Sequence, residues 1–69
     1  MKKDSKKPYF GLINQVHRKG LSQKYLAKAL GITQQSFSQK INRTDGKDFW
    51  FYQAKILSEI LDFPLDKFE

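Results

Sequence analysis

The sequence predicts an all-α fold, four to five short helices packed as one compact domain. Three observations predict it. Apolar residues recur at three- and four-residue spacings in four successive segments, with no strand-like alternation between them. Residues that start or stop helices stand at the segment boundaries: Pro8, Gly20, Ser22, Gly31, Thr33 and Pro64. With 69 residues and no cysteine, the chain has no disulfide to staple an irregular fold, so packed helices must supply its stability.

The elements follow in order. Residues 1–7, MKKDSKK, are polar and aperiodic and are expected to form a flexible basic N-terminal arm to a domain over 8–69. Pro8 suits a first helical turn. Tyr9, Leu12, Ile13 and Val16, with Phe10 beside them, mark an amphipathic helix that ends at Lys19, before Gly20. Ser22 caps a second helix at about 22–30, whose inward face is Leu26, Ala29 and Leu30 with the small Ala27 alongside. Gly31 stops it and Thr33 caps a third helix, about 33–42, anchored by Phe37 and Ile41.

Arg43 to Asp48 read as a loop with an Asp45-Gly46 turn. FWFYQAKILSEILDF reads as a fourth helix with Ala54, Leu57, Ile60 and Leu61 inward and Ile56 adjacent. Pro64 breaks it ahead of one further turn carrying Leu65 and Phe68. Four consecutive aromatics, Phe49 to Tyr52, cannot all face one core. The simplest arrangement buries Phe49 and Phe51, leaves Trp50 or Tyr52 partly exposed, and gives Asp48 a capping role.

Composition narrows the function. Without cysteine there is no thiolate nucleophile and no thiolate zinc site. The single histidine, His17, has no partner pattern for a Ser-His-Asp grouping or a metal site and is expected on the surface. No enzymatic activity, metal or cofactor is expected. The N-terminal segment lacks an apolar signal-peptide core and no apolar run is long enough to span a bilayer, so a cytoplasmic protein with no membrane partner is expected. Residues 1–47 carry eleven Lys and Arg against Asp4 and Asp45, a balance of +9; residues 48–69 carry two against five acids, a balance of −3. Such asymmetry favours a polyanion at one end of the molecule, nucleic acid first among them.

Between Ser22 and Asn42, two short helices meet across a tight turn at Gly31, the layout of a helix-turn-helix. Ala27 is small enough for close crossing, Gly31 takes a positive φ without strain, and Ile32 and Phe37 can plug the angle. The third helix is also unusual in its polar residues. Solvated faces usually favour Glu and Lys, whereas this one carries Gln34, Gln35, Ser36, Ser38 and Gln39. An amide both donates and accepts, and a glutamine can bond adenine N6 and N7 together; serine can meet several base edges.

LSQKYLAKALGITQQSFSQKIN resembles the XRE-like helix-turn-helix of bacteriophage Cro proteins and repressors, and Leu12 to Phe68 resembles the small single-domain members of that family. The resemblance implies a compact, lambda-repressor-like five-helix domain that binds operator DNA, commonly as a homodimer with recognition helices about 34 Å apart. Such a protein occludes promoters in a phage genetic switch. The resemblance implies base reading by Gln34, Gln35, Ser38 and Gln39, and a phosphate contact for Gln23. Thr33, Ser36, Lys40, Asn42, Arg43 and Lys47 flank the strip as further phosphate candidates, with Lys2, Lys3, Lys6 and Lys7 in the arm. One departure is plain: many members carry an apolar residue where this chain has Lys40, with Ile41 one position later.

A second expectation comes from the aromatic cluster and the acidic C-terminal part. Trp50, Tyr52, Leu65 and Phe68 are candidates for a partner surface, either between two copies or with a partner repressor that this chain would modulate as an antirepressor. An antitoxin role is disfavoured, because the chain has almost no room for a toxin-binding extension.

Overall fold

The computed structural model describes residues 7–69, so the arm residues 1–6 lie outside the described part. Among the described residues the secondary structure is entirely helical: α1 (Phe10–Arg18), α2 (Gln23–Leu30), α3 (Gln34–Ile41) and α4 (Phe51–Leu61), with single 3-10 turns at Thr44–Gly46 and Leu65–Lys67. No helix is long and apolar enough to cross a membrane.

The caps account for most of the boundaries. Ser22 is extended and its hydroxyl accepts from the Tyr25 N–H at 3.1 Å. Thr33 repeats the device, with its hydroxyl accepting from the Ser36 N–H at 3.0 Å. Each satisfies one N–H that the first helical turn leaves unpaired. Gly31 takes the left-handed conformation, φ 75°, and ends α2 in three residues before α3 begins. A side chain there would be strained even though the space around it is open.

The core is one cluster. Leu12 and Val16 of α1, Leu26, Ala27 and Leu30 of α2, Phe37 and Ile41 of α3, Leu57 and Leu61 of α4, and Phe68 are buried. Tyr9, Ile13, Leu21, Ile32, Phe49, Ala54, Ile56, Ile60 and Phe63 pack partly buried around them. Helices α2 and α3 pack more extensively on one another than any other pair. Ala27, not Ala29, is the small inward residue of α2: at about 100° per residue, Leu26, Leu30 and Ala27 share one arc and Ala29 falls outside it, exposed.

Two aromatic placements differ from the sequence reading. Helix α4 begins at Phe51, two residues later than the aromatic run, so Phe51 sits in its first turn on the flank of the Leu57–Leu61 face and is 73% exposed. Phe49 alone of the pair turns inward, its ring 5.4 Å from that of Phe37. Phe68, expected on a partner surface, is buried: it stacks on Phe63 at 6.2 Å and meets Tyr9 edge-on at 6.1 Å. Leucine 65 of the same turn stays partly exposed.

The C-terminal turn docks on the start of α1 through backbone. The Leu12 N–H donates to the Phe68 carbonyl at 2.9 Å. A Cβ added at Gly11 would lie 2.1 Å from the Lys67 carbonyl oxygen, so only glycine permits this approach. Alanine is the better helix former by about 1 kcal/mol, yet the clash is with backbone and must move the whole turn. Gly11→Ala is therefore expected to destabilise the domain by about 1–3 kcal/mol, read as a lower urea midpoint. Asn14→Ala, exposed on the same helix, serves as the control and is expected not to lower it.

Candidate nucleic-acid interface

Helix α3 presents the polar strip. Gln34 and Gln35 are exposed, and Ser38 and Gln39 are half-buried one turn further on. Gln35, Ser38 and Gln39 stand at i, i+3 and i+4 and so share one helix face, with Gln35 and Gln39 opposite to the buried Phe37 and Ile41 and Ser38 at the edge toward Ile41. The structure thus brings together the residues expected to read bases. Asp45 is the first acid after Asp4, so no carboxylate lies in α1, α2 or α3. Helix N-termini ordinarily favour acids in the first turn, and α2 and α3 have none.

The flanking candidates divide. Lys47 is exposed, as is Thr33, whose hydroxyl oxygen caps α3 while its proton stays available to donate. Gln23 opens α2 and Ser36 lies in the first turn of α3, both half-buried. Asn42 turns its amide back on its own helix, where Nδ2 donates to the Ser38 carbonyl at 2.9 Å and lies 3.5 Å from Ser38 Oγ. Lys40 is also engaged inside the molecule. Its Nζ donates to the Asp48 carbonyl at 2.9 Å and sits 5.6 Å from the centre of the Trp50 ring. Lys40 can stand in an otherwise apolar helix register because its ammonium bridges outward to the loop while its stem packs.

Arg43 is the clearest revision. Placed by sequence among the phosphate contacts, it is instead the hub of an internal cluster. Its side chain is only 10% exposed. The guanidinium pairs with Asp48 at 3.2 Å and with Glu69 at 3.1 Å, and lies 4.0 Å from the centre of the Tyr9 ring. Tyr9 in turn donates its hydroxyl to Asp48 Oδ1, which also accepts from the Phe49 N–H at 2.7 Å. Arg43 takes a left-handed backbone, φ 56°, an uncommon conformation for a residue with a Cβ. Its Nε is buried without a hydrogen-bond partner. A side chain so engaged has no free fork to offer a phosphate. Sequence reading missed Tyr9, Asp48 and Glu69 because their partner is 26–39 residues away along the chain or set by a left-handed residue.

The cluster sets its own protonation. Burial pushes the Tyr9 phenol up, and the hydrogen bond and charge of Asp48 add to it, reaching about 12. Burial also pushes the Asp48 carboxyl up, but the Tyr9 hydroxyl, the Phe49 N–H and Arg43 together outweigh it and hold the carboxyl below its ordinary value. For Arg43, burial works against the charge and the bonds to Asp48 and Glu69 outweigh it, so its pKa is raised.

The aromatic run splits into two patches. Trp50 is 63% exposed and Tyr52 51% exposed, with rings 5.8 Å apart, on the Lys40 side of α3. Phe51 and Leu65 line a shallow hollow with Ala54 and Phe49, rimmed by Asp48, Asp66 and Glu69. Asp48 bonds the N–H of Phe49, not the start of α4. That start is served by Gln53, buried, whose Oε1 accepts from the Trp50 N–H at 2.9 Å. This is half of a capping box, because an indole has no acceptor to return the bond. His17 is exposed, and no group of three His, Cys, Asp or Glu that could hold a metal occurs among the described residues. No protein-family model matches the sequence, and comparison with curated proteins and with solved structures likewise found no match.

Two outcomes test the cluster. Arg43→Ala leaves the part-buried Asp48 without its cation and removes the stacking on Tyr9, and is expected to cost about 2 kcal/mol of stability, measured by urea unfolding. Because the Asp48 carboxyl is held below its ordinary value of 3.8, its contribution is complete above that value and is lost as pH falls through the lower folded-state value. The stability advantage of the parent over Asp48→Asn is therefore expected to be constant near neutrality and to shrink below about pH 4.

Proposed function

We propose that the protein is a sequence-specific DNA-binding regulator whose α2 and α3 form a helix-turn-helix, with α3 as the recognition helix. One observation carries the reading: the three-residue turn through left-handed Gly31 leaves α3 with a strip of exposed to half-buried amide and hydroxyl side chains and no carboxylate. A helix entering the major groove must donate and accept without repelling phosphate, and this strip does both. The excess of cations over residues 1–47 supplies the sequence-independent attraction. The protein would act by occluding promoters from a cytoplasmic operator complex, as the resemblance to phage Cro proteins and repressors implies. Gln34, Gln35, Ser38 and Gln39 read bases. Gln23, Thr33, Ser36 and Lys47 hold the backbone.

A second reading has its own support. The hollow of Phe51 and Leu65, with its acidic rim, is suited to a protein surface, so the chain could modulate a partner repressor. Band-shift with the purified protein alone discriminates: binding with sequence preference and no added partner weighs against a purely protein-binding role.

The test is a binding selection on a genomic DNA library, read by sequencing. An enriched pseudo-palindrome is expected, as a dimer requires. Recovery of no preferred sequence by folded protein would overturn the reading. On the selected site, Gln35→Ala is expected to cost roughly 1–3 kcal/mol and to relax preference at one base pair, measured by competition against single-base variants. Equal losses on selected and random duplexes would remove Gln35 from the base readers.

A further inference from the structure

We propose that Trp50 is a DNA contact, packing its indole against the sugar–phosphate backbone beside the recognition strip and donating its ring N–H to a phosphate oxygen. The inference rests on the DNA-binding reading and adds to it a contact site that the helix-turn-helix does not itself contain.

Three observations carry it. The first is what Trp50 forgoes. It occupies the N-cap of α4 with no side-chain cap bond, where Ser, Thr, Asp or Asn would satisfy a helical N–H. A residue that gives up a cap and leaves a large ring 63% exposed breaks two local rules at one position. Positions that break local rules are expected at functional or strained sites.

The second is charge. Lys40 Nζ lies 5.6 Å from the ring centre, so one face of the indole meets a cation, and Lys47 is exposed three residues earlier in the same loop. The hollow of Phe51 and Leu65 stands among Asp48, Asp66 and Glu69. Asp48 and Glu69 there are paired with Arg43 and Asp66 is exposed, so a phosphate meets a cation at the first patch and an acidic edge at the second.

The third is position. On α3, Ser36 and Lys40 form the row beside Gln35 and Gln39, one residue further around the helix. Trp50 lies over the Lys40 ammonium, so the ring stands on the side of α3 that carries this neighbouring row. The Lys40 ammonium is fixed by the Asp48 carbonyl at 2.9 Å, and Tyr52 backs the indole at 5.8 Å. The ring is thus held before DNA arrives, which reduces the ordering cost of binding. An indole is donor only, which matches a phosphate and cannot report base identity. Phosphate contacts of this kind fix register.

Trp50 is the single tryptophan, so its emission reads this side chain alone. The full chain is titrated with the selected duplex and with a random duplex of equal length. Binding is followed by the anisotropy of a label on the DNA, and Trp50 accessibility by acrylamide quenching. Protection of Trp50 that tracks the binding curve on both duplexes is expected. Trp50→Thr restores a capping residue, so it is expected to raise the melting temperature while weakening both duplexes by a similar factor, about tenfold. The slope of log K against log salt is expected to stay as it was, because no charge is removed.

Binding with Trp50 equally quenchable overturns the inference and leaves the DNA-binding reading standing. Parent-level affinity of Trp50→Thr does the same. Protection that grows with protein concentration in the absence of DNA assigns the ring to a second copy and overturns it as well. Absence of DNA binding by anisotropy removes both.

Discussion

The guanidinium of Arg43 is the constraint on which the arrangement of the remaining segments depends. It lies where four parts of the chain meet: Tyr9 ahead of α1, the end of α3, Asp48 in the loop to α4, and Glu69 at the C-terminal end. None of these segments has a long helix or a disulfide to fix it. Around this charge the Tyr9 N–H donates to the Ile41 carbonyl at 2.9 Å, which ties the start of the domain to the last residue of α3. The left-handed φ of Arg43 costs about 1 kcal/mol; that conformation reverses the chain at the end of α3 and brings the guanidinium back over Tyr9. A partly buried cation is costly by itself. Two carboxylates and an aromatic face offset that cost, and all three are supplied by segments that would otherwise be loosely held.

The same cluster decides what α3 can offer to solvent. Lys40 and Arg43 are the cations at the C-terminal end of the helix, and both are engaged inside the molecule, on the Asp48 carbonyl and the Asp48 carboxylate. What remains on the outward face is neutral: amides and hydroxyls at Gln34, Gln35, Ser38 and Gln39. A surface of that kind gains little from non-specific attraction. It gains from matching donor and acceptor positions, and that requires a helix held in a fixed orientation. Thr33 fixes one end through its cap and the Arg43 cluster fixes the other.

Much of this was legible in the sequence because it is local. Ser22, Thr33, Gly20 and Gly31 determine their boundaries through groups within four residues, and α2 and α3 start and stop where those residues place them. The apolar spacing located the core on every helix, with Ala27 and Ala29 exchanged because both are one position away from an unambiguous leucine. The polar strip was legible for the same reason, since i, i+3, i+4 spacing defines a face without reference to the rest of the fold. What was not legible depends on distant partners. Arg43 looked like a surface cation until Asp48 and Glu69 were beside it. Gly11 carries no pattern at all; its necessity comes from the Lys67 carbonyl oxygen, 56 positions later. Phe51 and Phe49 differ only in whether α4 has begun, and that was decided by buried Gln53, whose amide caps the helix at Trp50.

The loop between α3 and α4 then acquires a second meaning. It is short, it contains left-handed Arg43, Asp45 and Gly46, and its two ends are tied by Lys40 and Arg43 to Asp48. Aromatics emerging from such a loop are aimed, not tethered. Phe49 is sent inward to Phe37, Phe51 toward the acidic hollow, and Trp50 toward the Lys40 ammonium beside the strip. One tight reversal thus sorts three consecutive aromatics among three environments: a neutral core, a hollow with acidic residues at its edge and a flank that carries Lys40. A polyanion can meet only the last of these. If the strip on α3 reads DNA, the ring beside Lys40 is the aromatic best placed to share the contact, and the Phe51 and Leu65 hollow, with acids at its edge, is not.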